Sequence, residues 1–346
     1  MSLPRRTPWA RRVAAVTALL YVAFLFTAFV LLRFVGERWW FTGVGLYAPR
    51  ALFLLPLPFT AGALLWFGPR ALLWSQLAAL LFVIFPLMGF VVARPSRRAG
   101  PSVRVLSMNV NSSFAGVDVV ARAISKWSPD VVLLQEALEN GDELRARMAQ
   151  DYPVVRRSSQ FVVATRFAIE STTEPDTIMH EGRWRSPRFV RHVMSTPLGE
   201  LAVYAVHPIS PRMGMWAIRG SGLRGELSSG RFFRAERTAN MQRDSALREV
   251  QVRTVAATAS AEKIPVVIGG DTNLPTLSPI LARELSPFTD GFSSSGFGFG
   301  YTYPARLPWM RIDRILTSRE LVFTQFAAGC QGASDHLCVV ADLAHR

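Results

Sequence analysis

The chain has 346 residues, half of them apolar, and a formal net charge of +14 at pH 7. This length is enough for a membrane anchor and one sizeable globular domain. The charge alone does not indicate a nucleic-acid-binding protein, because it is unevenly distributed. Residues 1–100 contain eleven arginines and one acidic residue, whereas residues 101–346 have a net charge of only +4. Most of the basic excess therefore lies beside apolar segments, where arginine influences membrane topology.

Three apolar stretches in the first hundred residues predict three transmembrane helices, at Val13–Leu32, Leu46–Phe67 and Ala71–Val92. Each has about the twenty residues that are needed to cross a bilayer. The first stretch is too long for a signal peptide, and no cleavage site of small residues follows it. We expect Arg50, near the start of the second stretch, to extend to the membrane interface.

The arginines that flank these stretches bear on orientation, and they disagree. Four arginines before the first stretch favour a cytoplasmic N-terminus, so that three spans place the following domain outside the cytoplasm. Three arginines after the third stretch favour the opposite side. We expect a multi-pass protein of the cell membrane whose large domain is extracytoplasmic. Residues 94–102, RPSRRAGPS, predict a linker between an anchor (1–93) and this domain (103–346).

From residue 103 onward, short apolar runs predict strands and two segments predict helices. Val120, Ile124 and Trp127 are spaced to lie on one face of a helix, and a second helix is expected at about 236–260. Most neighbouring strands are separated by too few residues for a parallel crossover. The pattern therefore predicts an α/β domain with mixed, mostly antiparallel sheets and helices outside them.

Polar residues that are suited to catalysis or metal binding occur at the ends of these apolar runs. They are Asn109, Glu136, His207, Asp271, Asn273, Asp313, Asp335 and His336. Each one has an ordinary structural explanation, such as a turn or an ion pair. Together, in this order and all at strand ends, they are harder to explain as unrelated structural residues. Gly269 and Gly270, just before Asp271, are expected to let backbone and substrate approach closely.

Six motifs occur here in a familiar order: MNVN, LLQE, VHPISP, GGDTN, RIDRIL and SDH. On the basis of these six motifs, the chain resembles the endonuclease/exonuclease/phosphatase superfamily over about residues 103 to 343. The resemblance implies a four-layer α-β-β-α sandwich of two packed mixed sheets flanked by helices, with the active site at one edge. The three apolar stretches further resemble a membrane-anchored bacterial branch that is linked to lipid-carrier phosphates.

This resemblance implies a metal site and a set of catalytic groups. Glu136 is the expected main ligand of Mg²⁺, or alternatively Mn²⁺, with Asn109 and Asp335 completing or supporting the site. The other roles are carried by five further residues.

Asp271 is expected to orient and deprotonate the attacking water, and Asn273 to fix a phosphoryl oxygen or the aspartate itself. His336 is expected to contact the phosphoryl group, while Asp313 holds its tautomer and raises its pKa. His207 is expected near the leaving group.

The substrate-binding residues are less defined. Residues 183–234 contain nine arginines and two glutamates, and the segment 211–234 is both basic and apolar, which suits contact with lipid. Arg212, Tyr301 and Tyr303 are candidate substrate-binding residues. Cys330 and Cys338 bracket the SDH motif, and their spacing leaves open whether they form a disulfide.

Together these features predict a membrane-anchored, Mg²⁺-dependent phosphoesterase. The expected partners are the lipid bilayer and an anionic phosphate or diphosphate ester, such as a lipid or polyprenyl carrier. A membrane-tethered nuclease that acts on nucleic acid is the first alternative, and a non-catalytic membrane-anchored binding protein is the second. The sequence leaves the oligomeric state open.

Overall fold

The computed structural model describes residues 7–211 and 235–346, with only the backbone of 235–239. Arg212 and the segment 211–234, apart from Pro211, lie outside the described residues. The chain divides into two compact units. One is helical and extends to Phe90, together with Leu277–Pro279, and the other comprises Val91–Thr276 and Ile280–Arg346.

The helical unit begins with a capped helix. The Thr7 side chain accepts a hydrogen bond from the backbone N–H of Ala10, and Pro8 occupies the first turn, where its missing N–H costs nothing. The α-helices are α1 (Pro8–Val30), α2 (Trp40–Tyr47), α3 (Leu57–Trp66) and α4 (Leu73–Phe82). Shorter π and 3₁₀ segments are Leu31–Val35, Gly36–Arg38, Arg50–Leu54, Arg70–Leu72 and Val83–Leu87.

Two helical runs among the described residues are long and apolar enough to cross a membrane, Pro8–Arg38 and Arg70–Leu87. A third crossing exists only if Trp40–Tyr47 and Arg50–Trp66, which meet at 94°, form one bent span. The predicted second span is therefore not a straight helix. Pro49 lies at the bend, and proline disfavours helical conformation in the residue before it.

Two further expectations for this region were wrong. Arg50 is only 3% exposed, and its guanidinium donates to the carbonyl of Leu46, so it is enclosed by the helical unit. The predicted third span ends too late, because the helix stops at Leu87 and Val91–Val92 form a strand. A continuous apolar run is compatible with a buried helix and with a buried strand, so hydropathy could not locate this boundary.

The elements after Phe90 are mainly strands. The strands are β1 (Val91–Val92), β2 (Val103–Asn109), β3 (Val131–Gln135), β4 (Val154–Ser158), β5 (Phe161–Thr165), β6 (Ala168–Thr173), β7 (Ile178–His180), β8 (Arg183–Arg185), β9 (Phe189–Thr196), β10 (Gly199–Val206), β11 (Val266–Asp271), β12 (Thr289–Asp290), β13 (Phe297–Gly298), β14 (Asp313–Thr317), β15 (Leu321–Gly329) and β16 (Cys338–His345). The helices are α5 (Val117–Ser125), α6 (Gly141–Met148), α7 (Ala235–Ser260), α8 (Pro279–Glu284) and α9 (Gly291–Ser295), with a 3₁₀ turn at Asn111–Ser113.

Two six-stranded sheets organise this unit. The first has the order β12-β14-β11-β10-β9-β6, and the second has the order β15-β16-β2-β3-β5-β4. Within them β10–β11 and β2–β3 are parallel, and every other described pair is antiparallel. This confirms the prediction of mixed, mostly antiparallel sheets. Two small antiparallel pairs, β1–β13 and β7–β8, lie outside the large sheets.

The two large sheets pack face to face around one apolar core. Leu133 of the second sheet and Val203 and Val267 of the first sheet belong to the same buried cluster. Strands that are covered on both faces need continuous apolar residues, which explains runs such as VVLL in β3.

Helices cover the outer faces of both sheets. Ile124 of α5 and Leu144 of α6 are buried with residues of the second sheet. Val252 and Val255 of α7 are buried with residues of the first sheet. The predicted arrangement of two mixed sheets flanked by helices is thus confirmed.

Candidate active site

The parallel strand pairs bring four of the predicted residues to one edge. Asn109 ends β2 and Glu136 directly follows its parallel neighbour β3, while His207 directly follows β10 and Asp271 ends its parallel neighbour β11. Because parallel strands end at the same edge, each pair of residues is brought together. The two pairs also meet across the sandwich. Asn109 Nδ2 donates to Asp271 Oδ2 at 3.2 Å, and His207 Nε2 lies 3.3 Å from Glu136 Oε1.

Antiparallel strands start where these strands end, and they supply the remaining groups. Asp313 is the first residue of β14 and lies directly opposite Asp271. His336 precedes β16 by two residues, and β16 runs antiparallel to β2. This topology explains why residues that are far apart in the chain form one cluster.

Asp313 and His336 form a buried acid–imidazole pair. His336 Nδ1 lies 3.0 and 3.2 Å from the two carboxylate oxygens of Asp313. A carboxylate accepts hydrogen bonds, so Nδ1 carries a proton and Nε2 is directed away from Asp313. His336 Nε2 is 3.8 Å from Asp271 Oδ2. The ring of Tyr303 packs on the imidazole with a centroid separation of 4.5 Å.

The charges in this cluster favour a cationic histidine. Burial lowers the pKa of His336, but the carboxylates of Asp313 and Asp271 outweigh it and raise the pKa to about 10. Burial raises the pKa of Asp271, as does Asp313, while the two histidines and the N–H of Asn273 oppose that rise. The proton shared by this group therefore lies on His336 at neutral pH, where two acids surround it.

His207 is oriented by a residue that the motifs did not reveal. Its Nδ1 lies 2.6 Å from Gln160 Oε1, and since an amide oxygen only accepts, Nδ1 is the donor. Nε2 is thereby directed to Glu136 and to Asp271, whose Oδ2 is 3.7 Å away. The backbone N–H of His207 donates to the carbonyl of Arg188.

Arg188 is a second residue that sequence reasoning missed. Burial lowers the pKa of its guanidinium, while the Glu136 carboxylate acts in the opposite direction. Arg188 therefore adds a positive charge beside the predicted metal ligand. Neither Gln160 nor Arg188 follows an apolar strand in a recognisable motif, so the sequence carried no signal for either.

Glu136 and Asn273, like Arg188, adopt left-handed backbone conformations. Glu136 has φ of 55° and Asn273 has φ of 53°. Asparagine tolerates this region, whereas glutamate rarely adopts it, and such strain often accompanies function. The turn at Asn273 places its N–H 2.9 Å from Asp271 Oδ1, and its side chain donates to the carbonyl of Pro208. Asn273 thus connects Asp271 with the segment that follows His207.

Gly270 allows the close backbone approach that was expected, but the space beside both glycines before Asp271 is occupied by protein groups and not left open for substrate. A Cβ on Gly270 would lie 1.9 Å from the carbonyl oxygen of Val206 on the neighbouring strand. A Cβ on Gly269 would lie 2.6 Å from the end of the Leu133 side chain. Both spaces are already filled by protein atoms.

The predicted metal ligands are not the same residues as the most closely spaced group of metal-binding side chains. Asp271, Asp313 and His336 have ligand atoms within 4.8 Å of one another, and they form the group of metal-ligating side chains detected among the described residues. Because Asp313 is already paired with a cationic His336, this group already contains the positive charge that a metal ion would otherwise supply. Glu136, whose side chain is 19% exposed, fits a cation that retains water ligands better.

The other two predicted ligands, Asn109 and Asp335, also carry side-chain oxygen atoms. Asn109 Oδ1 accepts from the N–H of Asn111 and retains a second lone pair. The Asp335 carboxylate accepts from the Ser334 hydroxyl, and its residue directly precedes His336. An oxygen-only donor set of this kind fits Mg²⁺ or Mn²⁺ and not a cation that prefers sulfur.

The candidate substrate-binding tyrosines lie in different surroundings. Tyr303 is 7% exposed and supports the His336 ring, whereas Tyr301 is stacked on Phe299 at 5.2 Å. Arg212 lies outside the described residues.

A disulfide joins Cys330 to Cys338, which resolves the alternative left open by their spacing. The bonded cysteines are eight positions apart in the sequence, and the segment between them carries Asp335 and His336. The bond therefore restricts the backbone of the loop that carries these two residues.

This site lies within a region that matches a known family. Residues 106–336 match the model of the Endonuclease/Exonuclease/phosphatase family. The match covers more than half of the chain, so the chain belongs to this family, whose members are phosphoesterases or nucleases. No curated protein matches the chain.

Several solved structures are similar to this chain over about 70% of its length. A truncated Caenorhabditis elegans TDP2 is 17% identical, with a TM-score of 0.49 over 70% of this chain and 97% of that one. Sphingomyelinase C from Streptomyces griseocarneus is 17% identical, with a TM-score of 0.48 over 70% of this chain and 99% of that one. Beta toxin from Staphylococcus aureus is 16% identical, with a TM-score of 0.46 over 69% and 99% of the two chains.

Proposed function

We propose that this protein is a membrane-anchored, divalent-metal-dependent phosphoesterase that hydrolyses a phosphate or diphosphate ester of a lipid or polyprenyl carrier. The observation that carries the proposal is the convergence of Glu136, His207, Asp271 and His336 at one edge of the sandwich. Two acids with different surroundings and two oriented histidines are the groups that hydrolysis of a phosphate ester requires.

Asp271 is the proposed general base. Its raised pKa brings a carboxylate closer to the range in which it accepts a proton from water. The backbone N–H of Asn273 and the side chain of Asn109 fix both of its oxygens. A water held by Asp271 would be oriented toward the phosphorus atom.

His336 and His207 are the proposed phosphoryl and leaving-group contacts. A cationic His336 donates from Nε2 to a phosphoryl oxygen and balances its developing charge, while Asp313 keeps Nδ1 engaged. His207, oriented by Gln160, is available on the Glu136 side of the cluster. Its Nε2 can hydrogen-bond the departing oxygen.

Glu136 is the proposed main ligand of Mg²⁺ or Mn²⁺, with Asn109 and Asp335 in support. When bound, the cation would neutralise charge on the phosphoryl oxygens. The mixture of acid, amide and water ligands suits a magnesium ion, which keeps part of its hydration shell.

The membrane assignment rests on the two long apolar helices and the bent pair. The second unit begins at Val91, directly after the helical unit ends at Phe90, so an anchored enzyme stays near its bilayer. Tethering raises the effective concentration of membrane-bound esters and does nothing for a freely diffusing polymer. This reasoning favours a lipid-linked substrate over nucleic acid.

We expect Glu136→Gln to remain folded and to lose activity by roughly 100- to 1,000-fold, because it removes the charge that holds the cation. Initial rates of the purified full-length protein in detergent, with Mg²⁺, measure this loss. Glu139→Gln is the matched control, since Glu139 is an exposed glutamate three residues away. Near wild-type activity of Glu136→Gln would contradict the proposed metal site.

The substrate class is tested with a panel of polyprenyl diphosphate, sphingomyelin, phosphoinositides and plasmid DNA. We expect hydrolysis of a lipid phosphate ester that requires the divalent cation. Efficient cleavage of plasmid DNA that is abolished by Glu136→Gln would identify a nuclease instead. A complete lack of hydrolysis would favour a non-catalytic binding protein.

A further inference from the structure

A groove with a volume of about 830 Å³ lies beside Asp335. This volume is within the range of small-molecule binding sites. Half of its lining residues are apolar: Val110, Phe114, Ala115, Pro304, Ala305 and Leu307.

Both walls of the groove continue from segments that carry the candidate active site. On one side, Val110 directly follows Asn109, and its N–H donates to the carbonyl of Gln135 at the end of β3. On the other side, the N–H of Ala305 donates to the carbonyl of Asp335 at 2.7 Å. Asp335, a proposed metal ligand, itself lines the groove and directly precedes His336, so the groove adjoins the candidate active site.

Two large apolar side chains at this groove are exposed to water. Phe114 is 68% exposed and Leu307 is 73% exposed. Exposing two such side chains at the mouth of one cavity is unfavourable unless a ligand covers them. The groove therefore presents apolar surface next to the place where a phosphate group would bind.

The charges of the groove distinguish between two kinds of occupant. Arg306 and Asp335 are the charged residues of its lining, so their formal charges cancel. A nucleic-acid strand is held by several cations along its backbone, with aromatic residues for its bases. One arginine opposed by one aspartate does not supply such a track, whereas a hydrocarbon chain requires no charge.

We propose that this groove binds the hydrocarbon group of the substrate, next to its phosphate, and selects esters by the length of that group. The inference rests on the proposed phosphoesterase function and extends it, since it assigns substrate selection to Phe114 and Leu307. Each methylene that becomes buried is expected to improve binding roughly two- to four-fold.

Binding without turnover tests the groove separately from the enzyme activity. Methylphosphonate and butylphosphonate, which do not undergo hydrolysis, are titrated into the full-length protein with Mg²⁺ by isothermal titration calorimetry. Three additional methylenes should tighten binding by roughly ten- to sixty-fold. Phe114→Ser combined with Leu307→Ser should reduce this ratio to below about three-fold while binding of methylphosphonate is unchanged.

Trp184→Ser is the control, because Trp184 is also a large exposed side chain, at 66%, and does not line the groove. It should retain the wild-type ratio. Equal binding of both phosphonates by the wild-type protein, or an unchanged ratio in the double variant, would overturn the inference.

Hydrolysis supplies the second arm of the experiment. Rates with p-nitrophenyl methyl phosphate and p-nitrophenyl butyl phosphate report the proposed function itself. If binding tightens with the length of the alkyl group but neither ester is hydrolysed, the result would contradict the proposed function and support the groove as the hydrocarbon-binding site. Hydrolysis of both esters at equal efficiency, with equal binding, would retain the function and reject the groove. If the double variant loses binding to single-stranded oligonucleotides but keeps its preference for butylphosphonate over methylphosphonate, the groove is a base-stacking site. This result would also contradict the proposed hydrocarbon-binding site.

Discussion

The proton on His336 interacts with several other residues of the candidate site. Asp313 binds His336 through Nδ1, and this contact both fixes the tautomer and holds the positive charge. Asp313 itself does not reach the proposed phosphoryl position directly, because Nδ1 and Nε2 lie on opposite sides of the ring. It is therefore a positioning residue, and its effect on catalysis passes through His336.

We expect Asp313→Asn to lower kcat by roughly 100- to 10,000-fold, with a much smaller change in KM. The amide removes the charge that favours imidazolium and can present a donor to Nδ1, which permits the wrong tautomer. Steady-state kinetics on the substrate identified by the panel separates kcat from KM. Circular dichroism and the melting temperature check that the variant is folded.

Asp342→Asn is the matched control for this variant. Asp342 forms a two-point ion pair with Arg104 on the same domain, at 2.6 and 2.8 Å, and part of that pair is exposed. Its loss should cost about 1 kcal/mol or less and leave kcat unchanged. Equal losses of kcat in the two variants would mean that Asp313 acts through stability alone.

The motifs allowed most of this cluster to be predicted, but not the residues that orient it. Asp271, Asp313 and His336 end or begin apolar strands, so a linear pattern marks them. Gln160 and Arg188 reach His207 and Glu136 only because turns between strands fold back to the same edge. Such proximity depends on tertiary structure and leaves no periodic signal.

At the level of elements, the catalytic edge depends on how closely β10 and β11 approach. Both strands end at a residue of the site, His207 after β10 and Asp271 in β11. Gly270 lies against the backbone carbonyl of Val206, which cannot rotate away as a side chain would. The spacing of these two strands therefore sets the distance between His207 and Asp271.

We expect Gly270→Ala to destabilise the protein by roughly 1–3 kcal/mol and to lower activity strongly, because the added methyl separates the two strands. Gly269→Ala should have a smaller effect on both, since its methyl meets the movable end of Leu133. Melting temperature and initial rate of the two variants test this order. A Gly269→Ala protein that is the more damaged of the two would contradict it.

The central strands and the apolar edge strand β15 could be predicted from the sequence, whereas the edge strands β4 and β6 could not. β3 and β11 are buried on both faces and consist of continuous apolar residues before their polar ends. β4 and β6 lie at the edges of their sheets and contain exposed arginine, serine and threonine. With one face in water and no strong alternation, such strands resemble loops in composition.

For the whole molecule, the number of membrane crossings decides which side the catalytic unit occupies. Two crossings return the chain to the side of the N-terminus, and three place it on the opposite side. The bend of 94° between Trp40–Tyr47 and Arg50–Trp66 is therefore the decisive feature. Hydropathy could indicate the apolar segment but not the bend, because a re-entrant pair and a span have the same composition.

The disulfide bears on the side of the membrane that the second unit occupies. Disulfides persist in oxidising compartments and are rare in the cytoplasm, where thiols are kept reduced. The bond between Cys330 and Cys338 therefore favours the proposed extracytoplasmic position of this unit, which requires three crossings when the N-terminus is cytoplasmic. This agrees with the arginines before the first apolar helix and outweighs those after the last one.

We expect Cys330 and Cys338 to be bonded in intact cells, which thiol tagging after rapid denaturation measures. Cells are dissolved in SDS with a maleimide–polyethylene glycol reagent, before or after reduction, and the mass of the protein is compared. The native chain should gain no tag before reduction and two after it, while Cys330→Ser should gain one tag in both samples. Because denaturation exposes buried thiols, the absence of a tag reports the bond and not accessibility. Two tags on the native chain without reductant would show free thiols and would favour a cytoplasmic catalytic unit with an even number of crossings.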